Sequence, residues 1–435
     1  METLRERLQA YEKAHHGPIR VGLVGAGQMG TGLMSQMEKM DGMKVMAVAD
    51  VVPGRPFAAY AEASVDKNLV HDVGDNADKA DELLAEGLRI GTNNSALLGQ
   101  LENLDVIVEA TGIPEVGAAV CYDAIMAGKH IVNMNVEADA TVGYYLTQLA
   151  RQQGVVYSLA AGDEPGSIKE IYDFADALGF EIVAVGKGKN NPLKRGSNPD
   201  TTAEKAKRQK MSPKMLASFE DGTKTMVEMT SIGNAVGFPP DVRGAHGPNV
   251  NVAQLADVFT TKTNGGIFNG ERKVDYAVGD VAPGVFVIIT TDQPKIIQDL
   301  NYLRLNGNGR FWALYRPYHL ANLETPITVA NVALDQRATL CQNRAPVAET
   351  ITVAKRNLKA GEQIDALGGY TVYGMIERAD TAKAEDILPL GLAVGATLLR
   401  DVPLGEPVRY SDVQLKEGQV IARLRAEQDK MVAEM

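Results

Sequence analysis

Residues 20 to 50, RVGLVGAGQMGTGLMSQMEKMDGMKVMAVAD, read as strand, tight turn, helix and second strand closing on an acid. No other stretch constrains the chain as much. Gly25, Gly27 and Gly30 stand at G-x-G-x-x-G spacing directly after the apolar run Val21 to Val24. In such a turn the first glycine permits the sharp bend, the second lets the backbone approach a pyrophosphate, and the third lets helix and strand pack closely. Gln28 and Met29 open the helix, whose free N–H groups face an anion. Asp50 follows Gly30 at about the distance where a carboxylate binds a ribose hydroxyl. A glycine turn alone is also a structural commonplace, but strand, helix and acid in register make dinucleotide binding the expectation.

Composition narrows the partners. The chain has 435 residues, enough for two or three domains, with a net charge of −11 and a pI near 5.2. That balance argues against a nucleic acid or an anionic membrane as the main partner. Cys121 and Cys341 lie far apart with no C-x-x-C neighbour, so neither a disulfide framework nor a thiolate metal site is expected, and a reducing cytoplasm fits. The amino-terminal METLRERLQAYEKAHHGP is charged and helical in period, as a docking helix would be, without the apolar core of a signal peptide. The longest apolar run, Ile387 to Leu399, contains Pro389 and two glycines and is too short to span a bilayer.

Residues 55 to 103 are rich in alanine and charge and carry no catalytic signature. Beyond them, apolar strands (Val106 to Glu109, His130 to Val132, Val155 to Leu159) alternate with amphipathic helices, which implies a doubly wound parallel sheet. Ligands sit at the carboxyl ends of such strands, here Thr111-Gly112, Asn133 to Glu137 and Gly162 to Glu164. Thr111 and Gly112 are small enough for a nicotinamide ring to lie against the backbone, and Asn133 joins them as a candidate contact. An ordinary strand-ending turn would look the same. The runs VEATG, AGKHIVNMN and GDEPG, following the glycine turn, resemble the cofactor half of the homoserine dehydrogenase group. Many dehydrogenases with this domain carry a lysine in N-K-E after the corresponding strand. Here the stretch is Asn135-Val136-Glu137, so a proton donor must come from elsewhere.

Two downstream regions can supply it. In FEIVAVGKGKNNP, Lys187 and Lys189 are two apart and fall on one face of an extended segment. The following KRGSNPDTTAEKAKRQKMSPKM is basic and broken by prolines, readable as a loop closing over an anionic substrate or as a solvated charged loop. In SFEDGTKTMVEMTSIGNAVGF, Asp221, Lys224 and Glu228 have the spacing of one helix face. A lysine held between carboxylates suits proton donation during carbonyl reduction, and surface salt bridges have the same spacing. Small and apolar residues on the other face favour a buried helix. Arg243, His246 and Asn249 follow on a glycine- and proline-rich loop able to meet an anion, and His319 reads as a packed histidine. Residues 274 to 334 alternate strands and helices and are expected to complete a middle-domain sheet.

After residue 344 the chain changes to short strands and glycine turns, and the half-repeats AKRNLKAGEQI and LLRDVPLGEPV resemble the SAF, or antifreeze-like, domain. Taken in order, the chain resembles the SAF-domain oxidoreductases called 1-deoxy-D-xylulose 5-phosphate reductoisomerase-like proteins. That resemblance implies an α/β protein: a Rossmann-type domain over residues 1–160, an α+β catalytic and oligomerisation domain over 161–344, and a β-rich SAF domain with a carboxyl-terminal helix over 345–435. It also implies NADP-dependent rearrangement and reduction of 1-deoxy-D-xylulose 5-phosphate to 2-C-methyl-D-erythritol 4-phosphate, in a cytoplasmic homo-oligomer. Asp50 favours NAD unless a cation such as Arg55 compensates, whereas the resemblance favours NADP, which we adopt as the expectation. No carboxylate cluster for a metal-dependent reductoisomerase is evident. Asp163 and Glu164, adjacent at a strand end, could hold a divalent cation, so a cation stays open and no metal ligand is assigned. Two alternatives remain: a simple dehydrogenase on a hydroxy acid or semialdehyde, and a non-catalytic nucleotide- or sugar-binding protein.

Overall fold

The computed structural model describes residues 2–435. The chain separates into two compact units. The first comprises the residues up to Gly166, Leu320–Asn343 and Leu424–Met435; the second comprises Ser167–His319 and Arg344–Arg423.

The first unit is built on seven strands: β1 (Ile19–Val24), β2 (Met43–Ala49), β3 (Val70–Asp72), β4 (Arg89–Thr92), β5 (Val106–Glu109), β6 (His130–Asn133) and β7 (Tyr157–Leu159). They pair in the order β3-β4-β2-β1-β5-β6-β7, every pair parallel. Both faces of β1 and β2 are buried, as the near-continuous apolar runs require. Strand order reverses between β1 and β5, which opens a crevice at their carboxyl ends. Beneath it, Val21, Leu23, Leu33, Met34, Val45 and Val106 form one core with Val329 and Val332.

Those last two residues correct the expectation for residues 274 to 334. The Ala321–Asp335 helix does not belong with the second sheet but lies against the Gln28–Met37 helix, where a Cβ on Gly32 would stand 2.1 Å from Asn322 Nδ2. The amino-terminal helix Leu4–His15 begins in a Thr3–Glu6 capping box, buries Leu8, and makes a two-pronged Arg7–Asp335 pair at 2.5 and 3.2 Å. At the other terminus, Gln428 accepts from Tyr145 N at 3.0 Å and donates to Thr141 O at 3.1 Å. No helix among the described residues is long and apolar enough to cross a membrane.

The second unit holds β8 (Glu181–Lys189), β9 (Lys273–Val278), β10 (Val285–Thr290) and β11 (Phe311–Arg316) in the order β11-β10-β8-β9. Only β8 and β9 run parallel. Phe259, Phe268 and Phe286 fill one side of this sheet. The Thr223–Val236 helix lies close to β9, with Gly233 placed so that a Cβ would meet Val274 Cγ1 at 3.3 Å. The antiparallel ribbon β12 (Ala348–Ala354) and β13 (Val372–Arg378) packs on the same helix. Every residue of that helix except Lys224 is therefore buried.

Its polar groups meet the ribbon in matched pairs. Asn234 Oδ1 accepts from Val347 N and Ala348 N, both at 2.8 Å, while its Nδ2 donates to Ala348 O. Thr230 accepts from Thr350 Oγ1 at 2.8 Å, and Thr223 Oγ1 accepts from Gly374 N at 2.9 Å.

Two local expectations change. The basic segment is not a plain loop: Asn198 caps a helix over Pro199–Gln209 through a reciprocal box with Thr201, and a second helix covers Pro213–Glu220. Asp221 caps the end of that second helix rather than sharing a helix face with Lys224 and Glu228, because Gly222, at φ +91°, breaks the run before Thr223. Since removing a partner from a buried hydrogen bond costs about 1–3 kcal/mol, Asn234→Ala should lower the unfolding free energy by about 2–3 kcal/mol in denaturant titrations.

Candidate functional site

In the first unit the glycine turn has the geometry its spacing implies. Gly25 sits at φ +96°, and a Cβ there would lie 2.8 Å from the Ala110 carbonyl carbon. A Cβ on Gly30 would stand 2.0 Å from Gly25 O, so helix and strand are closer than any other residue allows. Gly27 is the opposite case, with nothing within 4 Å of a Cβ and, like Gln28 and Met29, an exposed position at the helix start. A cleft of about 170 Å³ adjoins this turn, lined by Gly25, Gly27, Asp50, Arg55, Ser95 and Thr111 among others. An open helix N-terminus, an unfilled approach at Gly27 and a carboxylate at the next strand end fit a dinucleotide.

Asp50 has a second task that its spacing does not reveal. Its Oδ2 accepts from Ala26 N and its Oδ1 from Val52 N, both at 2.9 Å, so the carboxylate pins the glycine turn. Arg55 Nη1 stands 3.5 Å from Oδ1 and is half exposed, which places a cation beside the acid. Thr111 lines the cleft and Gly112, at φ +68°, turns beyond it. Asn133 is placed differently: it is fully buried, accepts from Asn135 N at 2.8 Å, and donates to Tyr157 Oη and Asn135 O. That side chain braces the strand end from inside.

The second unit gathers the charged residues. Lys187 and Lys189 share one face at the carboxyl end of β8, and both are buried. Lys187 pairs with Glu228 from the Thr223–Val236 helix, at 5% and 1% exposure, so neither charge relies on water. Lys189 Nζ donates to Phe219 O at 2.6 Å and forms no ion pair among the described residues. Burial, then the Lys187 charge, push the Lys189 ammonium down to about 8. Asp221, buried completely, accepts from Thr223 N and from Lys355 Nζ, each at 2.8 Å, and burial raises its pKa against the pull of Lys355. Lys224 is half-buried on the same helix as Glu228.

Two cations that the sequence reading left unassigned belong to this cluster. Lys355 follows β12 and uses all three donors, on Asp221, Ser197 O and Gly369 O. Arg195 donates to Asp221 O at 3.0 Å and lies over the Tyr373 ring at 4.8 Å. Arg195 sat inside the basic segment already noted; nothing local marks Lys355.

The remaining candidates have internal partners. Arg243 pairs with Glu377 and Glu385. His246 Nδ1 meets Asp275 at 2.9 Å, with Asp241 at 3.5 Å from Nε2, and the Asp275 contact raises its pKa. The ring of His319 bonds to Pro283 O.

Comparison with known families gives three matches in chain order. The NAD-binding domain of homoserine dehydrogenase matches residues 25–160, the catalytic domain of oxidoreductase DRL matches 162–325, and the SAF domain matches 349–414. No curated protein matches the chain. Solved structures resembling it include scyllo-inositol dehydrogenase from Lactobacillus casei in its apo form, at 14% identity and TM-score 0.40 over 74% of this chain and 89% of that one. The same enzyme with NAD(H) and scyllo-inositol scores 0.37 at 15% identity, over 68% and 76%. Myo-inositol 2-dehydrogenase from Lactobacillus plantarum scores 0.32 at 14%, over 70% and 71%. Likenesses so remote carry no information about substrate.

Removing one member of a buried ion pair costs about 3–5 kcal/mol because the other charge is stranded. Glu228→Ala should therefore be destabilised by about that amount in denaturant titrations, and the double variant Lys187→Met/Glu228→Leu by much less.

Proposed function

We propose a reaction from the premise that the chain belongs to the SAF-domain oxidoreductases with a DRL-type catalytic domain. It is an NAD(P)-dependent oxidoreductase, and its reaction is the rearrangement of 1-deoxy-D-xylulose 5-phosphate followed by reduction of the resulting aldehyde to 2-C-methyl-D-erythritol 4-phosphate. The observation that carries this reading is Lys189, a buried ammonium without a carboxylate partner, its pKa near 8, inside the segment that matches the DRL catalytic domain.

A bound reduced nicotinamide supplies the hydride. In the first unit Gly27 and the helix start would hold the pyrophosphate, Thr111 and Gly112 would bound the nicotinamide end, and Arg55 beside Asp50 would receive a 2′-phosphate, which favours NADP over NAD. In the second unit Lys189 Nζ is the group that donates a proton to a carbonyl oxygen. Lys187, fixed by Glu228, keeps Lys189 acidic enough for that task. Asp221 and Lys355 act indirectly by holding the turn before the buried helix. Arg195 and Lys189, both without ion-pair partners among the described residues, supply the positive field that an anionic sugar phosphate requires.

The decisive experiment follows NADPH oxidation with 1-deoxy-D-xylulose 5-phosphate or aspartate semialdehyde, and NADP+ reduction with homoserine, each with magnesium or with a chelator. Turnover of the sugar phosphate alone is expected; turnover of the amino-acid substrates alone would establish the simpler dehydrogenase. Lys189→Met should lower kcat by about 10²–10⁴-fold while leaving the NADPH Kd unchanged. Because the donor must be protonated, the reduction rate should hold below pH 8 and fall as pH rises through about 8. Arg55→Ala should raise KM for NADPH by about tenfold and alter that for NADH little, as measured by initial rates.

A further inference from the structure

Glu109 closes β5 two residues before the Thr111 wall of the cofactor cleft, and it is wholly buried. One oxygen, Oε1, receives both donors of Thr111: the backbone N–H at 2.9 Å and the hydroxyl. The other, Oε2, has no hydrogen-bond partner. A buried carboxylate with one empty oxygen is expensive, and no part of the reaction above uses it.

We propose that Glu109 is the positioning residue of the cofactor cleft, holding Thr111 and Gly112 in their binding arrangement only while its carboxylate is ionised. The inference rests on the first unit being the cofactor site. Two donors converging on one oxygen favour the anion, and burial without a cation opposes it. The charged or titratable groups near Glu109 do not help it. Glu137 raises its pKa from the Val136–Gln152 helix, and Asp139 on that helix and Cys121 on the Pro114–Met126 helix stand behind, the Cys121 thiol kept neutral by burial. Strand β6 contributes only the uncharged Asn133, and the Asn135 amide beyond it, which makes no bond of normal geometry to Oε2, favours the anion. The balance places Glu109 at about 7.

Protonation removes the charge that holds both Thr111 donors. The turn after Thr111 then keeps Asn135 Nδ2 on Ile113 O, at 3.0 Å, and the longer bond from Ile113 N to Thr111 Oγ1, at 3.4 Å. Cofactor affinity therefore falls as pH drops through the Glu109 pKa, by linkage between the two equilibria.

The test measures the NADPH Kd of the full chain by fluorescence titration at about pH 6 and about pH 8.5, for the wild type and Glu109→Gln. Wild-type affinity is expected to weaken at the lower pH by about fivefold, and the variant should show a clearly smaller ratio, because the 2′-phosphate titrates equally in both. Equal ratios would overturn the proposal. If the wild type fails to bind NADPH at either pH, the cofactor-site premise falls and the proposal with it. Thr111→Val gives an independent reading should Glu109→Gln fail to fold. It removes one donor that favours the anion, so the midpoint of the affinity loss should move to higher pH; an unmoved midpoint would also overturn the proposal.

Discussion

The second unit depends on one constraint: a helix buried on almost every side must have each of its polar groups matched by a neighbour. Thr223–Val236 meets that constraint with β8 and with the ribbon of β12 and β13. Glu228 is neutralised by Lys187, while Thr223, Thr230 and Asn234 pair with the ribbon. The SAF-type ribbon is therefore part of the second unit's interior, and its first strand sets the lysine that holds Asp221. Such a layer has a register, because sliding the helix by one residue would leave buried charges unpaired.

That requirement separates two kinds of buried lysine. Lys187 has a carboxylate, and Lys355 has a carboxylate and two carbonyls; each is satisfied as an ammonium. Lys189 has one carbonyl and a like charge two residues away, so its ammonium is the one that burial makes acidic. Proton donation needs an acid whose charged form is poorly held, whereas structural pairing needs the reverse. Neighbouring positions on one strand serve the two ends, and the difference arises from partners rather than residue type.

The features legible in the sequence are those whose causes are local. Gly25, Gly27 and Gly30 are fixed by contacts within the turn and the next strand end, so their spacing carries the geometry. The two-residue interval of Lys187 and Lys189 likewise fixes a shared face. Spacing alone puts Asp221 on the helix because it ignores Gly222, whose left-handed backbone breaks the run. The Pro199–Gln209 helix was hidden by its proline, although Asn198 and Thr201 form a capping box around it and proline suits the first helical turn. Lys355 could not be found locally, since its partner lies 134 positions away. Nor could the placement of Ala321–Asp335, whose periodicity shows a buried face without showing what covers it.

Glu109 shows a different limit. In VEATG it reads as the end of an apolar strand, and an acid at a strand end ordinarily meets water or ligand. Its burial follows from the packing of the Pro114–Met126 and Ala321–Asp335 helices against its strand. Asp50 follows β2, one strand beyond β1, and is also buried, yet both its oxygens accept backbone N–H groups. The two acids thus hold opposite walls of one cleft by the same device, a carboxylate gripping backbone donors of the adjoining turn. They differ in satisfaction: Asp50 is filled on both oxygens and Glu109 on one. A half-filled carboxylate in a cation-free setting sits near its protonation point, at about 7, so the Thr111 side is where this cleft can respond to its surroundings.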